Sequence, residues 1–209
     1  KLARKLKVTK TDNIRGGGRY HNFKDFMSFP NMGGKNLVYK KSFPSKHPLI
    51  SHNTSIIDKI KKEDIMLHYP YQSFQYIVDL LREASIDPKV RAIKMTFYRA
   101  ARDSNVINAL INAARNGKNV TVFLEIQARF DEKANIYWSR KLEEEGVKII
   151  KTLPGFKVHI KLMLIRRKES GKNVYYANIS TGNFNESTAK VYADDSLLTA
   201  HQGITNEMN

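Results

Sequence analysis

From about residue 73 onward, apolar runs of strand length alternate with amphipathic stretches of helical length, and this alternation restricts the chain to α/β architectures. Ser73 can cap a helix running to about Ala84, with Phe74, Ile77, Val78, Leu80 and Leu81 gathered on one side. Val90–Tyr98 is a β-branched and aromatic run that reads as a buried strand. Asp103 or Ser104 caps a second helix that stops at Gly117, and Asn119–Gln127 is the next strand. Asp131–Glu145 has acidic residues in its first turn and Gly146 at its stop, which predicts a third helix. Val147–Lys151, Val158–Arg166 and Val174–Ser180 follow as strands, the last two joined by the polar segment Arg167–Asn173. Leu197 and Leu198 suggest a final short strand. Strands separated by helices imply right-handed crossovers and a mainly parallel sheet.

The first 50 residues lack this rhythm. They contain Gly16-Gly17-Gly18, Gly33-Gly34 and the prolines Pro30, Pro44 and Pro48, with only short apolar runs between. Residues 1–48 therefore read as the end of a preceding domain, 49–68 as a linker with a short helix near Ser55–Lys62, and 69–209 as the main domain. Both ends of the chain read as cut. Charge is uneven as well: residues 1–50 hold 12 Lys and Arg against 2 Asp, out of a formal net charge of +16 for the whole chain. Such a field draws in polyanions. With no cysteine, thiol nucleophiles and zinc–thiolate sites are excluded. No apolar run approaches the roughly 18 residues that a membrane helix needs.

Four short features carry possible chemistry. In Phe156-Lys157-Val158-His159-Ile160-Lys161-Leu162, His159 and Lys161 lie two apart on the expected strand and share a face. Ile160, Leu162 and Leu164 would then point into the core. An imidazole lone pair beside a fixed ammonium suits attack on a phosphoryl group whose oxygens carry charge. By itself this pattern also fits an ordinary surface strand. Thr181-Gly182-Asn183-Phe184-Asn185 follows the next strand, and Asn183 and Asn185 can orient an imidazole or donate to phosphate, or merely cap the segment after them. Arg99 ends one strand and Arg129 follows another, 30 residues apart and with 30 more to His159. That spacing is close to a βαβ repeat, so the two guanidinium groups should emerge together at the carboxyl ends of strands. There they could bind phosphate oxygens as a pair of planar forks.

Taken together, these strings resemble the catalytic core of the polyphosphate kinase family. Lys94-Met95-Thr96-Phe97-Tyr98-Arg99, Ala128-Arg129-Phe130-Asp131-Glu132-Lys133-Ala134-Asn135-Ile136, His159-x-Lys161 and Ser180–Asn185 occur in the family's order and spacing. Gly17–Phe26 resembles the close of the domain before that core. The resemblance implies a phospholipase D-like fold, with a mixed, mainly parallel sheet flanked by helices. The phospholipase D motif carries an aspartate five residues after its lysine. Here that position is Arg166, a departure that polyphosphate kinases share and that counts against a phosphodiesterase.

From the resemblance, His159 is expected to be the phosphorylated histidine and Lys161 its catalytic partner. Arg99 and Arg129 belong to the magnesium–phosphate site. Guanidinium has no lone pair for a metal, so they are expected to hold Mg²⁺ through phosphate and not as direct ligands. Tyr192 matches a nucleotide-contacting tyrosine; the alternative is a half-buried core aromatic. The implied substrates are ATP/ADP and inorganic polyphosphate, with no nucleic acid. The full-length enzyme is expected to be a homo-oligomer in the cytoplasm, or associated with a membrane. These residues alone are expected to be inactive, since a second, downstream catalytic half completes the family's site. The other classes considered are a phospholipase D-like phosphodiesterase or nuclease and a non-enzymatic module that binds nucleic acid or another polyanion.

Overall fold

A computed structural model describes residues 2–9, 22–40, 42–51, 54–98, 101, 103–125, 132–152 and 159–209. The chain forms two compact units, 1–42 and 43–209. The first contains a short helix, α1 (Leu2–Lys5), and two 3₁₀ turns, Phe23–Ser28 and Lys35–Leu37. In it Phe23, Phe26 and Phe29 form an exposed ladder of rings with centroids 6.0 and 6.2 Å apart.

The second unit is a seven-stranded sheet with helices. Its elements are α2 (Ile56–Ile60), β1 (Ile65–Tyr69), α3 (Gln75–Ile86), β2 (Val90–Phe97), α4 (Asn105–Arg115), β3 (Asn119–Leu124) and α5 (Glu132–Glu144). β4 (Lys148–Lys151), β5 (Lys161–Glu169), β6 (Lys172–Ser180), β7 (Asp194–Thr199) and α6 (Gln202–Glu207) complete it. The strand order is β1-β7-β6-β5-β2-β3-β4. β2, β3 and β4 are mutually parallel, while every other neighbouring pair is antiparallel. The sheet is thus mixed, as expected, yet its parallel pairing is confined to the edge built by helical crossovers. The segment 167–173 accounts for one of the antiparallel pairs. It is not a loose connection, because β5 and β6 run to within two residues of each other. Ser170 and Gly171 turn the chain with φ of 45° and 83°. Two positive φ values make the tight hairpin whose twist matches its strands, and a hairpin is antiparallel by necessity.

One face of the sheet and its helices share the core. Ile93, Met95 and Phe97 from β2, Val120, Val122 and Leu124 from β3, and Met163 and Ile165 from β5 pack with Ile77, Leu81, Ile107 and Leu110 of α3 and α4. Ser104 caps α4 by accepting from the Ile107 amide at 3.2 Å. Ser73 binds the Gln75 amide at 3.1 Å at the entrance to α3. The stretch read as a linker contributes to the same core: Ile56, Ile57 and Ile60 of α2 and Ile65, Leu67 and Tyr69 of β1 are all buried. Alternation in β1 sets those three against the exposed Met66 and His68, a strand pattern interrupted at once by Pro70.

At the far end of β5 a charged cluster joins several elements. The Arg167 guanidinium donates to Asp87 at 2.7 Å and to Glu169 at 2.8 Å. Glu169 also accepts from the Tyr176 hydroxyl at 2.6 Å and from Lys61. Burial pushes the Glu169 carboxyl up, but hydrogen bonds from Lys61, Tyr176 and Arg167 outweigh it and bring the pKa down to about 2. A depressed carboxylate contributes stability above its ordinary range and loses it as pH falls toward the folded-state value. Glu169→Gln should therefore be less stable than wild type at neutral pH, with the gap closing between roughly pH 5 and 2. Urea unfolding across that interval measures it; a gap constant with pH would remove the ionised carboxylate from the balance.

Candidate active site

Strand directions bring one end of the sheet together. The carboxyl ends of β2, β3 and β6 meet the amino ends of β5 and β7 there, because Lys161 pairs with Ser180 and Ser180 with Ser196. His159, Lys161, Tyr98, Glu125, Gly182, Asn183 and Asp194 all belong to this end or its loops.

His159 is not in the strand. β5 begins at Lys161, and both His159 and Ile160 are exposed, Ile160 by 59%. Ile160 is therefore not a core residue, in contrast to the alternation expected of a strand. Thr96 supplies the reason. Its hydroxyl accepts from the Leu162 amide at 2.9 Å and donates to the Ile160 carbonyl at 2.8 Å. A side chain thus satisfies the main-chain groups that β2 would otherwise bind, and the regular ladder stops at Met95 and Met163. The imidazole is left at the surface with the Tyr98 ring edge-on, 6.4 Å between centroids.

Lys161 has the opposite setting. It lies on the core face with Met163 and Ile165, is only 6% exposed, and its ammonium donates to the His159 carbonyl. One residue thus provides a cation and tethers the main chain beneath the imidazole. Burial pulls its pKa down, and the Asp194 carboxylate opposes that pull only in part.

The Thr181–Asn185 loop is braced by Asp194, which accepts from the Thr181 hydroxyl at 2.8 Å. Gly182 is required for that approach, since a Cβ there would lie 2.4 Å from the Asp194 carboxylate oxygen. Asn185 is buried and its side-chain oxygen accepts from the Ser187 and Thr188 amides at 2.9 and 3.1 Å, so it caps the following turn. Asn183 differs: its side-chain oxygen is shielded from solvent and has no hydrogen-bond partner among the described residues. Tyr192 is 62% exposed, which excludes a core role for its ring.

Arg99 and Arg129 lie outside the described residues. The strand ends that lead to them are tied together by Asn135, whose amide donates to the Tyr98 carbonyl at 3.0 Å and to the Glu125 carbonyl at 2.7 Å. Asn135, Thr96 and Asp194 act here through hydrogen bonds that periodicity does not reveal; only Asn135 and Thr96 stand inside the quoted motif strings. Among the described residues no three His, Asp or Glu side chains converge as a metal would require. Among the same residues no helix is long and apolar enough to cross a membrane.

Residues 55–209 match the family described as polyphosphate kinase C-terminal domain 1. The polyphosphate kinase of Escherichia coli strain K12 is 52% identical over 209 residues, covering 99% of this chain and 30% of that protein. The polyphosphate kinase of Vibrio cholerae is 50% identical over 207 residues, with the same coverage. The chain thus spans less than a third of the length of these relatives. Among solved structures, the polyphosphate kinase from Porphyromonas gingivalis superimposes with a TM-score of 0.77 at 38% identity, covering 91% of this chain and 32% of that one. A phospholipase D family member, Nuc from Salmonella typhimurium, gives 0.53 at 15% identity over 70% of this chain and 88% of its own, a likeness of fold alone.

Proposed function

The chain belongs to the polyphosphate kinase family, and from that premise we propose that it carries the phosphoryl-accepting half of a site transferring the terminal phosphate of ATP reversibly to inorganic polyphosphate. The observation that carries this reading is an exposed His159 imidazole whose own main-chain carbonyl is held by the buried Lys161 ammonium, at the common end of the strands. A ring nitrogen of His159 attacks the γ-phosphorus. An N–P bond forms as the bond to the β–γ bridging oxygen breaks, and ADP leaves with that electron pair. The terminal oxygen of a polyphosphate chain then attacks the same phosphorus, and the imidazole is released. Lys161, with Arg99 and Arg129, offsets the charge on the transferred group. In this reading Asn183 offers its unpartnered oxygen as an acceptor for an imidazole N–H, and the exposed Tyr192 contacts the nucleotide. Magnesium in this reading is held by the phosphates, and no step is routed through it. Donors fixed around the whole phosphoryl group are needed for such a transfer. Residues 1–209 alone are therefore inactive until the rest of the longer protein, in its homo-oligomeric form, supplies the opposing side.

The purified full-length protein should convert γ-labelled ATP into acid-insoluble polyphosphate and, with excess ADP, make ATP from polyphosphate. Release of inorganic phosphate alone, or cleavage of a phosphodiester without either transfer, would replace this reading with a hydrolytic one.

A further inference from the structure

A pocket of about 650 Å³ lies at the end of the sheet opposite His159. It is lined by Arg91 at the start of β2, Lys118 and Asn119 at the start of β3, Arg166 and Lys168 late in β5, and Asn173 early in β6. Among the described residues no carboxylate lines it, and none of its four cations forms an ion pair. The contrast along β5 is sharp. Arg167, between them, is neutralised by Asp87 and Glu169, while Arg166 and Lys168 project from the other face with no ion-pair partner among the described residues. The Nε of Arg166 is shielded from solvent and has no hydrogen-bond partner among the described residues. Buried donors are ordinarily satisfied, and four cations around one hollow repel one another. Both costs vanish when an anion with many oxygens occupies the pocket.

On the reading of this protein as a polyphosphate kinase, we propose that this pocket is a second site for the polyphosphate chain, holding a stretch of polymer away from the reacting histidine. The pocket is too large for one phosphate and its lining is cations and amides. Among the described residues no aromatic ring lines it, as the stacking platform for single-stranded nucleic acids and nucleotide bases would require. Five to seven residues of β5 separate Lys161 from Arg166 and Lys168, roughly 15–25 Å at about 3.3 Å per residue. ATP and tripolyphosphate are too short to reach from one end to the other, whereas a long chain can engage both.

The test uses the full-length protein carrying Arg91→Gln and Lys168→Gln, both on exposed side chains. Equilibrium binding is read with long-chain polyphosphate, tripolyphosphate and a single-stranded DNA of matched charge, at several salt concentrations, whether or not turnover occurs. Affinity for long-chain polyphosphate should fall about 10-fold or more, with a shallower salt dependence as two phosphate contacts are lost. Affinity for tripolyphosphate, KM for ATP and phosphoryl labelling of the protein should stay at wild-type values. The charge-retaining pair Arg91→Lys and Lys168→Arg should recover most of the loss, separating charge from misfolding. Long-chain affinity within twofold of wild type would overturn the assignment, and so would an equal loss for the DNA. Failure of the wild-type protein to make polyphosphate tells separately against the function proposed above, since binding is scored without it.

Discussion

Full-length protein carrying His159→Ala should take up no acid-labile, base-stable label from γ-labelled ATP. A phosphoramidate is labile in acid and survives base, unlike the ester that serine or threonine would form, so the chemistry of the label identifies the nucleophile. Turnover should fall by roughly 10⁴-fold or more, about 5 kcal/mol in barrier height, because no other group can replace a displaced covalent step. The fold should be indifferent. His159 stands outside β5 with its ring exposed, so truncation removes no buried contact and leaves the Thr96 and Lys161 bonds to the main chain in place. Near-normal melting with no label is the expected pair of results. Label at wild-type level would take His159 out of the mechanism.

Lys161→Met is expected to cost roughly 10²–10³ in kcat, the size of effect seen when one fixed donor to a developing charge is removed. Methionine fills much of the buried volume but supplies neither the cation nor the hydrogen bond to the His159 carbonyl. Because the interaction strengthens as charge moves onto the phosphoryl oxygens, kcat should suffer far more than KM for ATP. The protonation equilibrium gives a second readout. Burial favours the neutral amine, so the lysine is cationic at low pH and loses its charge earlier than an ordinary lysine as pH rises. Activity should have an alkaline limb that begins below the usual lysine range. Lys161→Arg, whose charge persists through that range, should move the limb upward even if its rate is lower. A limb that does not move would mean that another group titrates there.

Much of the scaffold could be read from residue order. Periodicity located α3, α4 and α5 and the strands β2, β3 and β4 to within a few residues, because each is an uninterrupted pattern facing a single core. β1 was lost because only Ile65, Leu67 and Tyr69 mark it, and Pro70 follows immediately. The start of β5 was placed too early for a different reason. Val158–Ile165 carries strand propensity throughout, but the Thr96 hydroxyl, 64 residues before Ile160, decides where pairing ends. No local window contains that information. The same holds for Gly182, which looked like a turn residue and is in fact the gap into which Asp194 fits. The string around His159 supplied the nucleophile proposed above, while the burial of Lys161 needed the neighbouring strands to be visible.

The position of β5 in the middle of the sheet has a consequence for how such a chain can change. Hydrogen-bonded to β2 on one side and β6 on the other, it cannot slide, and the one register shift in these two ladders falls on β2, between Val90 and Ala92. One residue inserted or deleted within Lys161–Glu169 would exchange its two faces, sending Leu162, Leu164 and Arg166 into the core and driving Lys161, Met163 and Ile165 out. Length is therefore closed to variation here, and only substitution is open. Lys161 and Arg166 are locked five residues apart and on opposite faces, whatever the loops around them do. The arginine at position 166 is open to exchange for another side chain without any shift of its neighbours, a change of identity at a fixed address.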